Sequence, residues 1–135
     1  MSWESKFVGK PFREGGRGPD VYDCWGIVWA TYKQILGVIL PDYSEIGTNE
    51  TISVTRQMQE SISTGPWLRV AAPQEFDVMV ARRDPHSKYP GHVGIMLDAN
   101  RVLHVWRERD VHISRVAEPT LQGLILGYYR YKTLL

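Results

Sequence analysis

One cysteine and two of the four histidines stand where they could do covalent chemistry together. Cys24 follows Asp23 and opens an apolar periodic stretch, His92 stands in Gly91-His92-Val93-Gly94-Ile95, and His104 stands in Leu103-His104-Val105. A thiol, an imidazole that takes its proton and a further polar group that fixes the tautomer of that imidazole make up an acyl-transfer site. In that assignment Cys24 is the nucleophile, His92 the base and His104 its orienter. Taken singly, the cysteine reads first as a small buried hydrophobe and each histidine as a half-buried structural ring. Only their joint placement separates the two readings, so the elements that carry them decide.

Asp23 is a residue type favoured at a helix N-cap. From Trp25 the apolar positions Val28, Trp29, Tyr32, Ile35 and Leu36 fall on one helical stripe, and Gly37 with Pro41 beyond it marks the stop. The turn-rich run Gly15-Gly16-Arg17-Gly18-Pro19-Asp20 leads into this helix. Cys24 thus lies in a first turn, where the positive end of the helix stabilises the thiolate that attacks. In the strand that follows Gly91, Val93, Ile95 and Leu97 alternate with His92, Gly94 and Met96. A hairpin centred on Asp98 sets His92 opposite His104, with Cβ atoms about 4.5–5.5 Å apart. If the helix packs on that face, the three groups converge, and Gly94 leaves room for the approach. His86 and His112 have no evident partner and read as surface residues.

The rest of the chain reads as one domain, residues 1–135, without repeat or linker. A second helix is expected over Asn49–Ile62, and strands over Phe76–Arg82, His92–Leu97, Val102–Trp106, Val111–Val116 and Leu124–Lys132. Helices precede strands, so the class is α+β, with helices packed on an antiparallel sheet of about five strands. Hydrophobic residues at 43% and charged residues at 23% call for a packed core. A net charge of +1 argues against a nucleic-acid partner. A lone cysteine forms no internal disulfide and falls short of a structural zinc set, so no metal is expected. The charged N-terminus is unlike a signal peptide and no apolar run nears membrane-spanning length, so neither export signal nor membrane partner is expected.

Asp23-Cys24-Trp25-Gly26, Gly91-His92-Val93-Gly94-Ile95 and Leu103-His104-Val105 together resemble the motif blocks of NlpC/P60 peptidases. The resemblance extends through Gly9-Lys10-Pro11-Phe12, Gly15-Gly16-Arg17-Gly18-Pro19, Leu40-Pro41 with Tyr43, and Gly127-Tyr128-Tyr129-Arg130. These outer blocks are most similar to short members encoded with phage tails and gene-transfer agents. The resemblance implies a papain-like fold and cleavage of peptidoglycan stem peptides, commonly between D-glutamate and a diamino acid such as diaminopimelate, with no cofactor. Phage-tail proteins are then expected partners, and the chain is expected in the cytoplasm before assembly, with carriage to a virion tail, periplasm or cell wall supplied by something else. Two positions depart from the pattern. Phe7 stands where many relatives have a tyrosine, so no tyrosine role is carried over, and Trp25 replaces a small residue, either narrowing the pocket or packing in the core, as its place on the stripe favours. Arg17, just upstream, is expected to hold a substrate carboxylate in a forked pair, with Asp23 and Trp25 beside it. The other readings of the same residues are a non-catalytic tail-tip or assembly component and an amidase or acyltransferase acting on a different amide.

Overall fold

A computed structural model describes residues 2–41, 66–87, 90–106 and 109–134. The helix expected over Asn49–Ile62 lies outside the described residues, as does Tyr43. Helix α1 spans Cys24–Thr31, continues through one wide π turn at Tyr32–Leu36, and ends at Gly37 in the left-handed conformation, φ 68°. Its start is chemical. Asp23 is extended, and its carboxylate accepts from the Gly26 amide at 2.7 Å, satisfying one of the amides a helix start leaves unpaired. The helix is buried on nearly every side, the state of a helix apolar all round. Trp25 and Trp29 donate their indole N–H groups to the carbonyls of Pro41 and Leu40 at 3.0 and 3.1 Å, tying the segment after the helix across its outer side.

Six strands form one antiparallel sheet: β1 (Trp67–Val70), β2 (Val78–Arg82), β3 (Pro90–Met96), β4 (Arg101–Trp106), β5 (Arg109–Arg115) and β6 (Ile125–Tyr131). Their spatial order is β1-β6-β2-β3-β4-β5. The sequence reading expected about five strands; the addition is β1. Trp-Leu-Arg-Val is short and shows no clean alternation, and it becomes a strand because β6 offers an edge, pairing Trp67 with Tyr131 through Val70 with Tyr128. A short helix α2, Pro119–Gln122, lies between β5 and β6 and was also not anticipated. The start of β2 is tied to β6 by an ion pair. Asp77, fully buried, accepts from Arg130 Nε at 2.9 Å and Nη2 at 2.8 Å, and from the Gln74 amide.

The two faces of the sheet have different covers. Val78, Val80, Val93, Ile95, Leu103 and Val105 share the main core with Ile27 and Val28 of α1, which lies against β3 and β4. Met79, Ala81, Met96 and Val102 form a smaller core with Leu121 of α2 and Leu124. Strand alternation gives His92, Gly94 and His104 to this second face. The helix therefore does not pack on the histidine face, as the convergence expected from sequence required. It chose the purely aliphatic row, where each contact buries apolar area without stranding a polar ring. Among the described residues no helix is long and apolar enough to cross a membrane.

Candidate active site

The first turn of α1 is held by a clamp built from the glycine-rich run before it. Asp23 collects three donors: the Gly26 amide, the Gly15 amide at 3.0 Å and Arg17 Nη1 at 2.7 Å. The same Arg17 nitrogen donates to the Gly16 carbonyl at 3.0 Å. Gly16 rests directly on the helix, and a Cβ at Gly26 would collide with its carbonyl oxygen. Asp-Cys-Trp-Gly thus has a local logic, in which the aspartate caps, the cysteine occupies the first helical position and the glycine admits the clamp. Cys24 is buried, at 7% exposure. Trp25 is buried in the core. Arg17, which the sequence aimed at a substrate carboxylate, has its Nη1 turned onto the Asp23 carboxylate.

The two histidines meet, by a different register from the one expected. Ile95 pairs with Leu103 and Met96 with Val102, so the hairpin is centred on Ala99 rather than Asp98. The cause is the turn itself: Asp98 Oδ1 accepts from the amides of Asn100 and Arg101, and the Leu97 amide donates to the Arg101 carbonyl, closing a three-residue loop. Carried along the strands, this register makes His92 and His104 diagonal neighbours, a separation ring side chains still span. His92 Nε2 and His104 Nδ1 are 2.8 Å apart. The residue across from His92 is instead Trp106, whose ring stacks on the imidazole with centroids 3.9 Å apart and planes 10° from parallel. Gly94 makes this possible: a Cβ there would stand 2.7 Å from Val102 Cγ2 and 3.0 Å from His104 Cβ.

Behind the pair, His104 Nε2 lies 2.8 Å from Ser114 Oγ. His112 pairs directly with His104 across β4 and β5, its ring centroid 4.5 Å away, and its Nδ1 donates to the Asp110 carbonyl at 2.7 Å. Reading His112 as a surface residue without a partner is thereby corrected; its flanking Val111 and Ile113 concealed a cross-strand neighbour that only the β4–β5 register reveals. His86 is exposed in its turn, as expected. Ser114 and Trp106 belong to no motif, and the one signal that could have found them is that same register.

Burial lowers the pKa of both paired imidazoles below the ordinary value, and neighbouring cationic groups act in the same direction, His112 and Arg83 on His92, and His92, His112 and Arg109 on His104. Both rings are neutral at pH 7, so the bond between them joins one N–H to one lone pair. Among the described residues no group of three or more histidines, cysteines or carboxylates is arranged to hold a metal ion.

A helix opened by a capped cysteine is followed by a sheet that joins two histidines twelve residues apart, and residues 9–130 match the NlpC/P60 family. The chain belongs to that family. It is 26% identical over 132 residues to the Gamma-DL-glutamyl hydrolase of Bacillus subtilis, covering 96% of this chain and 28% of that relative. The chain thus spans less than a third of the curated relative it matches. Among solved structures, an NlpC/P60 family protein from Bacillus cereus superposes with a TM-score of 0.69 at 21% identity, over 93% of this chain and 36% of that one. The NlpC/p60 domain of the peptidoglycan hydrolase SagA gives a TM-score of 0.63 at 21% identity and covers 93% of this chain and 91% of its own. At those identities the likeness concerns the fold, and the sheet of six antiparallel strands with α1 on one face is the NlpC/P60 α+β fold.

Proposed function

We propose that this NlpC/P60 domain is a cysteine endopeptidase that hydrolyses peptidoglycan stem peptides at a D-glutamyl–diamino acid bond. The observation that carries the reading is the buried His92–His104 pair joined at 2.8 Å in a chain whose Cys24 opens a capped helix. Cys24 Sγ attacks the scissile carbonyl carbon while His92 takes the thiol proton. The carbonyl oxygen, now an oxyanion, accepts hydrogen bonds from backbone amides at the start of α1, the Cys24 amide first. Collapse of the adduct breaks the C–N bond, His92 returns the proton to the departing amine, and a thioester remains. Water, deprotonated by His92, then releases the acid and restores the thiol. His104 holds the base in place throughout.

Because α1 covers the opposite face of the sheet, the reading requires the thiol at the first turn of the helix to reach His92 past the edge of that face, directly or through one water. Such hydrogen bonds close in the substrate complex. A substrate carboxylate at Arg17 competes with Asp23 for the guanidinium. Asp23 holds the cap, and Trp25 acts through the packing that sets the helix start. The names of the Bacillus subtilis relative, a glutamyl hydrolase, and of the SagA domain, from a peptidoglycan hydrolase, support the substrate class. Association with a phage or prophage tail, with tail proteins as partners, is supported by the resemblance of the Gly9–Phe12 and Gly127–Arg130 blocks to tail-encoded members.

Muropeptides of defined structure, incubated with the parent and with Cys24→Ala and read by mass spectrometry, test the reading. Cleavage by the parent alone, with a loss of about three orders of magnitude or more in the variant, identifies the peptidase and names its bond. Folded protein that cleaves nothing overturns the reading in favour of a tail-tip binding role or a different amide substrate.

A further inference from the structure

We propose that Ser114 is a positioning residue of this site: by accepting a hydrogen bond from His104 it selects the tautomer of the pair in which His92 is able to act as a base. The proposal deepens the reading of His92 as base and rests on it. Ser114 Oγ, His104 and His92 form one continuous chain, with 2.8 Å from Oγ to His104 Nε2 and 2.8 Å from His104 Nδ1 to His92 Nε2. With both rings neutral, each ring carries one proton, and the chain has two concerted arrangements. If Ser114 accepts, His104 is protonated at Nε2, its Nδ1 lone pair accepts from His92 Nε2–H, and His92 presents an unprotonated Nδ1 to the thiol. If Ser114 donates, His104 is protonated at Nδ1 and donates to His92 Nε2. The proton of His92 is then on its Nδ1, and no lone pair is left to receive another. The direction of one hydroxyl decides whether the base exists.

One feature favours the first arrangement. Ser114 borders a cavity of about 230 Å³ lined also by Glu118 and Thr120, polar and roomy enough for a water that would accept the hydroxyl hydrogen and leave the oxygen to accept from His104. The patterning of β5 shows that the hydroxyl, rather than packing, accounts for the residue. Ser114 is buried at 5% exposure while its neighbour Ile113 is 37% exposed, the reverse of what packing alone selects for consecutive strand positions. A serine held inside at the expense of an isoleucine outside is explained by its hydroxyl.

The test uses the full chain with its histidines labelled with 15N, in the parent and in Ser114→Ala and Ser114→Thr. Long-range 1H–15N spectra at pH 7.5 report the tautomer of each ring. In the parent, both His92 and His104 are expected as Nε2–H tautomers. In Ser114→Ala the His104 signal shifts toward Nδ1–H and His92 with it, kcat on muropeptides falls about tenfold, the worth of one buried hydrogen bond, and KM is unchanged; Ser114→Thr restores both. A parent spectrum with His104 protonated at Nδ1 overturns the proposal whether or not any variant folds. So do unchanged tautomers in a folded Ser114→Ala. The spectra need no turnover, so a parent that cleaves no muropeptide sinks the peptidase reading while the tautomers still decide the role of Ser114.

Discussion

Acidification from pH 7.5 to 5.5 should weaken the fold through two side chains, His92 and His104. Both are almost wholly buried, at 3% and 1% exposure, and both have native pKa values below the ordinary 6.5. Between the native and the ordinary value, the unfolded chain binds more protons than the native one, so stability falls as pH falls. The stabilising effect of keeping these rings neutral is complete above about 6.5 and is lost below it. At pH 5.5 an unfolded histidine is about nine-tenths protonated, which favours unfolding by about 1.4 kcal/mol, so the pair accounts for about 3 kcal/mol of a total that for such a domain is about 5–15 kcal/mol. His112, half-buried and shifted the same way, adds a smaller amount. Carboxylates titrate below this window, which leaves it to the imidazoles. Urea unfolding at half-unit pH steps measures the effect, with His104→Asn as control, since asparagine keeps a polar atom near Nδ1 but does not titrate. The pair's contribution should halve in the variant. A flat parent profile between pH 7.5 and 5.5, or a slope that His104→Asn leaves untouched, would refute the claim that the native pair is neutral.

Three substitutions probe the supports. Asp23→Ala removes the cap from Gly26 and the partner of Arg17, and should cost about 2 kcal/mol in urea unfolding, with Asp23→Asn retaining part of it because the cap acceptor survives. Gly26→Ala drives a methyl group into the Gly16 carbonyl; a loss of about 1–3 kcal/mol, with faster proteolysis of the Gly15–Pro19 run, is expected, and an unchanged melting curve would show the clamp is looser than drawn. Arg130→Ala strands the fully buried Asp77 carboxylate, whose remaining donor is an amide, and should cost about 3 kcal/mol in thermal unfolding at pH 7, recovered in part by adding Asp77→Asn.

Where sequence and structure agree, the physics is local. A cap, a left-handed stop and the alternation of a strand are each decided within four or five residues, and so Asp23, Gly37 and the shared face of His92 and His104 could be read before any coordinates. The register of the hairpin could not be read from hydrophobic pattern, because shifting its centre from Asp98 to Ala99 moves each pairing by two residues and leaves every side chain on the same face. The Asp98 side chain decides between them by capping the turn. Nor was the position of α1 legible, since both faces of β3 and β4 offer apolar residues, Val93, Ile95, Leu103 and Val105 on one and Met96 and Val102 on the other. β1 depends wholly on an edge that β6 supplies from sixty residues away.

The neutral pair and the buried helix start bear on each other. A resting thiolate–imidazolium pair would need a charge on His92, in a pocket where burial, His112 and Arg83 all oppose one. Stabilisation of the sulfur anion then falls to the amides of α1 and to the clamp that keeps the Asp23 carboxylate engaged by Arg17, Gly15 and Gly26 rather than left as an uncompensated charge beside the thiol. In the proposed reaction the proton would then leave the sulfur as the carbonyl is attacked rather than before. The tautomer of His92 is then decisive, because a ring with its lone pair facing the wrong way has no charge with which to compensate. In that proposal the Ser114–His104–His92 chain and the Asp23 clamp would serve one requirement from opposite ends, a base that is neutral but oriented and a thiol whose anion is tolerated once formed.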